Sequence, residues 1–262
     1  MFILKRYLNF YKNNGLLKSL IKIFSTPIRL IKKKTYQETK SKIFNQNTPK
    51  KRFDLIYESN FWSSKESVSG LGSQYDNTIN IKNGIKNVIN NYKIKTILDA
   101  PCGDFNWIND ILTDELKYLG VDIVEKLIQK NKDLYLNKNI NFTTLDITKD
   151  KIPTADLMIC RDCLIHLSFE SIERFLKNLS NSDIKYILLT TYEFKNKEKK
   201  IINFDIPDGE YREIDLSEPP FLLTNPSEKI LDKDELNKHS AFNCYLNLYT
   251  KEQIDILVSK LD

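Results

Sequence analysis

The stretch ILDAPCGDFNW, residues 97–107, decides how the rest of the chain is read. Two apolar residues, Ile97 and Leu98, run into Asp99, and Pro101, Cys102 and Gly103 then break the run, as at the carboxyl end of a buried strand entering a ligand loop. Gly103 permits close approach of backbone to a bound molecule, and a helix is expected to start just after it, offering unpaired amides. Downstream, short apolar runs alternate with helical periods, the pattern of a parallel sheet covered by helices. Strands are expected at 96–100, 118–123, 141–146, 157–160 and 186–191. Val124, Leu127, Ile128, Asn131, Leu134 and Tyr135 mark one helix face; Phe169, Ile172, Phe175, Leu176 and Leu179 mark another, with Ser168 as its cap. A third helix, carrying Ile81, Ile85, Val88, Ile89 and Tyr92, precedes the first strand.

In an open sheet of this kind ligands bind beyond the carboxyl ends of the strands, so residues 100–105, Asp122, Asp146 and residues 161–166 should converge. The loop has one glycine where a dinucleotide fingerprint has three, and Asp104 would repel a pyrophosphate. A ligand with a positive sulfonium and ammonium would instead be attracted by Asp99 and Asp104. Asp122 follows Asp99 by 23 residues, the spacing at which a carboxylate reaches ribose hydroxyls. Asp146 closes the third strand, where it can accept from an adenine amine beside the apolar Ile147. Any one aspartate after a strand also serves as a helix cap or a solvated turn; three at successive strand ends favour a nucleoside.

The resemblance can now be named. The chain resembles class I S-adenosylmethionine-dependent methyltransferases, and more narrowly a bacterial group that shares SVSGLGS at 67–73, ILDAPCGDFNW at 97–107, CRDCLIHLS at 160–168 and a stretch like YREIDLSEPPF at 211–221. It covers residues 53–262 and implies a Rossmann-like α/β fold with a mostly parallel seven-stranded sheet. It also implies S-adenosyl-L-methionine as cofactor: Asp99 and Gly103 at the methionine portion, Asp122 at the ribose, Asp146 at the adenine with Ile147 beside it, Pro101 and Ile123 as further cofactor-binding residues, and Trp62, Gly70, Gly72 and Ser73 closing over it. The group is associated with surface and capsule polysaccharide pathways. The implied reaction is therefore methyl transfer to an oxygen of a small molecule or glycan precursor, either a sugar hydroxyl or a phosphoramidate or phosphate oxygen. Members tend to have asparagine near the position of Asp215.

CRDCLIHLS follows the fourth strand, where an acceptor would meet the methyl group. Asp162 and His166 are four apart; on one helical turn they would share a face as orienting carboxylate and general base. A lone histidine also serves as a structural hydrogen-bonder, and His166 is one of two in the chain. Arg161 or Arg212 would position an anionic acceptor, although Arg161 is equally suited to a structural ion pair. Tyr211 and Arg212 belong to the expected acceptor wall. Cys160 and Cys163, with Cys102 and His166, have the residue types of a zinc set, but Cys160 alternates into the core and a closed site would block the substrate mouth, so no metal is expected.

Charge is segregated. Of a net +5, residues 1–52 carry fourteen Lys or Arg and one acid, Glu38, or +13; the remainder carries −8. The chain thus reads as a basic amphipathic amino-terminal arm, 1–52, on a methyltransferase domain, 53–262. In the arm, Phe2, Ile3, Leu4, Tyr7, Leu8 and Tyr11, then Leu16, Leu17, Leu20, Ile21 and Phe24, recur at helical spacing among lysines. That suits peripheral contact with the anionic inner face of a membrane; docking on the body or on another copy remains the alternative. Nucleic acid is the less suited partner, because the apolar face would be wasted on phosphate, and CRDC lacks the acidic or amide residue, two prolines and aromatic that base-amine methyltransferases carry there. A non-catalytic module that binds the cofactor or a membrane is the third reading. Four cysteines and no apolar leader with a cleavage site point to the cytoplasm. No stretch is long and apolar enough for a membrane-spanning helix.

Overall fold

The computed structural model describes residues 33–232 and 240–261, together with Lys18, Leu30 and Ile31. The expected amphipathic stretch over residues 2–24 lies outside the described residues, Lys18 excepted. By contacts the chain divides into residues 1–46 and 47–262. In the first unit, residues 33–44 are helical, with Thr35 Oγ1 donating to the Ile31 carbonyl at 3.1 Å. Among the described residues no helix is long and apolar enough to cross a membrane.

The second unit opens with helix α1, Pro49–Glu58, whose start is set by Thr48: its side chain accepts from the Lys51 amide, and Pro49 supplies a φ already suited to the first turn. The expected boundary between 52 and 53 falls inside this helix. Helix α2, Ile79–Asn91, then leads to strand β1, Thr96–Asp99. There follow β2, Lys117–Asp122; α3, Glu125–Tyr135; β3, Ile140–Thr144; and β4, Leu157–Cys160. Helix α4, Phe169–Ser180; β5, Tyr186–Phe194; β6, Glu228–Asp232; β7, Phe242–Thr250; and α5, Lys251–Val258, complete it. Among the described residues the sheet has seven strands in the order β3-β2-β1-β4-β5-β7-β6. Strands β1 to β5 are mutually parallel, and β7 runs antiparallel to both β5 and β6. The strand order reverses between β1 and β4, which opens a crevice beyond their carboxyl ends.

Alternation builds the two faces. Leu98, Met158, Cys160, Ile187 and Leu189 point to one side with α4 and α5, and Ile97, Leu157, Ile159 and Leu188 to the other with α2. Helix α4 keeps the expected cap, with the Ser168 side chain accepting from the Ser171 amide. It buries Ile172, Phe175, Leu176 and Leu179, each burial contributing about 1.5–3 kcal/mol before entropy is counted. Gly84 in α2 is a packing glycine: a Cβ there would lie 2.3 Å from Ile230 Cγ2 of β6.

Two local expectations are corrected. No α-helix follows β1; Gly103 and Phe105 both have φ near +60°, which stops right-handed winding, and only a 3₁₀ turn, Ile108–Ile111, forms before β2. Asp162 and His166 do not share a helical turn, because Asp162 is left-handed at φ +54° and the 3₁₀ turn there begins at Leu164.

Candidate functional site

Gly103 sits in the left-handed region, and a Cβ on it would lie 2.2 Å from Ser69 Oγ. Glycine is therefore what lets the 67–73 loop close against the 101–105 loop. Asp104 fastens that closure: its Oδ1 accepts from Ser67 Oγ at 2.9 Å and its Oδ2 from the Val68 amide at 2.9 Å. Asp104 thus ties two loops together while also lining the cavity with a carboxylate that has only neutral donors here. Asn106 adds a bond from Nδ2 to the Ser73 carbonyl at 3.0 Å.

Asp99, Asp122 and Asp146 converge as expected, in one cavity of about 340 Å³. Asp99 is buried and accepts from the Tyr118 hydroxyl at 2.7 Å. Burial pushes its pKa up to about 7, against the opposing pull of that hydroxyl and of the Arg161 charge. Asp122 accepts from the Val124 amide at 2.9 Å and the Gly103 amide at 3.3 Å, and burial still raises it to about 6. Asp146 closes a local turn, accepting from the Thr148 amide at 3.0 Å and its hydroxyl at 2.6 Å, with Lys149 Nζ 3.3 Å away. Pro101, Gly103, Ile123, Ile147, Trp62, Gly70, Gly72 and Ser73 line the same cavity. Two buried carboxylates, Asp99 and Asp122, with no ion-pair partner within 4 Å among the described residues, beside glycine-lined backbone, fit a ligand with cationic groups and hydroxyls.

The opposite wall comes from the end of β4. His166 lines the cavity, and its Nδ1 lies 2.7 Å from the Glu210 carbonyl. A carbonyl can only accept, so Nδ1 carries the proton and the lone pair of a neutral ring is on Nε2. Trp62 stacks on the imidazole with centroids 4.9 Å apart and planes at 27°. Segment 205–212 is stitched beneath it: Gly209 N donates to the His166 carbonyl at 2.7 Å and Arg212 N to the Ile165 carbonyl at 3.1 Å. Asp208 accepts from the Ser168 amide and the Ser171 hydroxyl. Tyr211 lines the mouth.

Two expected roles change. Arg161 lines the cavity, but its side chain is buried and bound in bidentate fashion by Asp232, Nε to Oδ2 at 2.8 Å and Nη2 to Oδ1 at 2.9 Å. A guanidinium so engaged makes the structural ion pair, not an anion-positioning group. Arg212 is buried outside the cavity lining, with Nη1 donating to the Leu167 carbonyl at 2.7 Å, and burial lowers its pKa to about 10. It therefore does not wall the acceptor space. Among the described residues, Asp162, Asp232 and Cys244 bring potential metal ligands within 4.8 Å of one another. The Arg161 cation pairs with Asp232 there and lies 3.7 Å from Asp162 Oδ2, so a cation of the chain already sits among these groups. All four cysteines are buried and none forms a disulfide.

Sequence reasoning missed a wall. Pro49, Phe53, Ile56 and Tyr57 of α1 line the cavity. Thr48-Pro49, a cap followed by a first-turn proline, was the signal that a helix of the body starts there. Trp107 was also missed; it lines the cavity under the Arg161 guanidinium, 5.1 Å from its ring centroid.

No family model and no curated protein sequence matches the chain. Solved structures share the fold. An S-adenosylmethionine-dependent methyltransferase from Leishmania major is 14% identical over 77% of this chain and 85% of that one, at a TM-score of 0.54. Human N-acetylserotonin methyltransferase, in complex with S-adenosylmethionine, is 16% identical over 74% of this chain and 58% of its own, at 0.50. The methyltransferase domain of bacterial CtHen1-C, 16% identical, aligns over 44% of this chain and 65% of its own at 0.39. The chain thus spans less than two thirds of the last two. At these identities the likeness is one of fold: the Rossmann-like architecture of class I methyltransferases.

Proposed function

We propose that the chain transfers the methyl group of S-adenosylmethionine to an oxygen of a small-molecule or glycan-precursor acceptor. The observation that carries this reading is the convergence of Asp99, Asp122, Asp146 and His166 on one cavity at the strand ends, in a fold shared with methyltransferases. Asp99 with the Gly103 backbone would hold the methionine portion, Asp122 the ribose and Asp146 with Ile147 the adenine. When bound, S-adenosylmethionine supplies a methyl carbon on a positive sulfonium that leaves as a neutral thioether.

The chain's own residues do the rest. His166, its Nδ1–H held by the Glu210 carbonyl and its ring by Trp62, presents Nε2 to take the proton of an attacking hydroxyl. Among the described residues the lining holds five carboxylates (Asp99, Asp104, Asp122, Asp146 and Asp162) and one guanidinium, Arg161, which is held by Asp232. Charge therefore favours a neutral sugar hydroxyl over a phosphate or phosphoramidate oxygen. A place in surface polysaccharide modification rests on the resemblance of the four sequence segments. For the basic arm we propose peripheral contact with an anionic membrane surface, resting on its charge and apolar periodicity.

The test is a calorimetric titration of S-adenosylmethionine into the wild type and Asp122→Ala. The expected result is micromolar-range binding that weakens at least about tenfold, roughly 1.4 kcal/mol, in the variant. No binding by folded wild-type protein sinks the reading. Binding without turnover over a panel of hydroxyl acceptors would favour a non-catalytic module.

A further inference from the structure

Arg161 joins parts of the molecule that are far apart in sequence. Its Nη2 donates to the Gly72 carbonyl at 2.8 Å while Nε and Nη2 both engage Asp232, 71 residues downstream at the carboxyl end of β6. The Asp232 side chain is 0% exposed and that of Arg161 3%. Nη1 lies 3.7 Å from Asp162 Oδ2. A guanidinium is planar and rigid, so two parallel bonds along one edge fix where its other N–H groups point. Here those groups meet the 70–73 loop and Asp162, two residues past β4, both in the cavity wall.

The loop needs such a hold. It is a single 3₁₀ turn, Leu71–Ser73, preceded by Gly70 at φ +97°, and one turn of 3₁₀ helix has little stability of its own. Asp104 ties its beginning at Ser67 and Val68, and Asn106 ties its end at Ser73. Gly72, between these ties, is held from β6 through Arg161.

Charge gives the arrangement a second consequence. Arg161 is near enough to Asp99 to act on it electrostatically. Without Asp232, a cation in this place would turn to the cavity carboxylates and compete with a cationic ligand.

We infer that Asp232, outside the cavity lining, is a positioning residue: by holding Arg161 it fixes the 70–73 loop over the cavity and keeps the guanidinium charge away from Asp99. The part concerning the loop stands by itself; the part concerning ligand affinity rests on S-adenosylmethionine being the ligand.

The experiment measures amide hydrogen exchange over residues 67–74 in the full-length chain, with S-adenosylmethionine binding by calorimetry alongside. Wild type, Asp232→Asn and Arg161→Lys are compared. Arg161→Lys keeps a charge opposite Asp232 and so retains the buried pair, but loses the fork that reaches Gly72. Both variants are expected to exchange at least about tenfold faster at residues 70–74, with β1, β4 and β5 as protected as in wild type, and to bind S-adenosylmethionine about tenfold more weakly. If Asp232→Asn does not fold, Arg161→Lys decides alone. Unchanged protection of residues 70–74 in folded variants overturns the inference. A wild type that does not bind S-adenosylmethionine refutes the proposed function, while the exchange result still decides the loop.

Discussion

Asp99 and Asp232 are the last residues of two strands, central β1 and outermost β6, and both are buried. Asp232 meets Arg161 in a bidentate pair, whereas Asp99 meets the neutral hydroxyl of Tyr118. Asp122 resembles Asp99 in this respect, with two backbone amides and a pKa raised to about 6. A carboxylate paired within the protein has its charge balanced internally, and removing its partner would leave an uncompensated buried charge. A carboxylate given only neutral donors keeps an unmet demand for positive charge, and in a cavity that demand is a binding specification.

The contrast is broken most directly at the ion pair. Arg161→Leu would leave Asp232 buried without its partner, so a loss of about 3–5 kcal/mol of unfolding free energy is expected, read as a drop in the urea midpoint. A loss under about 1 kcal/mol would mean that Asp232 is not the structural member of the comparison.

Asp99→Asn should act in the opposite sense. The folded pKa of Asp99, about 7, lies above its ordinary value of 3.8. The folded state therefore binds this proton more tightly than the unfolded chain does. The group's unfavourable contribution is absent below about pH 4, grows between pH 4 and 7, and is complete above 7. Urea unfolding of the variant should lose less stability than wild type from pH 4.5 to 8, a difference of a few kcal/mol at most. Conversely, wild-type affinity for S-adenosylmethionine should rise roughly tenfold or more from pH 5.5 to 8, with proton release at the lower pH. Asp99→Asn should bind weakly at both. Equal pH slopes in the two proteins would remove Asp99 from the binding specification.

How far these roles could be read in advance depends on how local their causes are. Asp99, Asp122 and Asp146 each lie at or just past a strand end, so the strand pattern that places β1, β2 and β3 also places their carboxylates. The partner of Arg161 was not legible, because a cation shows its charge in the sequence but not which acid 71 residues away will neutralise it. Strand β6 was equally hard to locate: Glu228, Lys229, Ile230, Leu231 and Asp232 form an edge strand with mixed exposure, lacking the continuous apolar run of a central parallel strand. The missing helix after β1 turns on Phe105, a residue type that gives no sign of adopting φ +60°. The α1 wall was hidden by a charge boundary drawn at residue 52, since Lys50, Lys51 and Arg52 continue the basic run into a helix that belongs to the body.

The smallest expected effect isolates what the neutral donor does. Tyr118→Phe keeps the ring that packs against Phe105, 5.1 Å between centroids, and removes only the hydroxyl at Asp99. That hydrogen bond opposes the effect of burial, so without it the Asp99 pKa should move further above 7. At pH 8 the cost to S-adenosylmethionine binding should be a few-fold, about 1 kcal/mol. The midpoint of the affinity against pH should shift to higher pH. Combined with Asp99→Asn, the tyrosine change should add little, because both act through one carboxylate. A midpoint that stays in place, or effects that simply add in the double variant, would mean that Tyr118 packs beside Asp99 without setting its charge, and that burial alone distinguishes this carboxylate from Asp232.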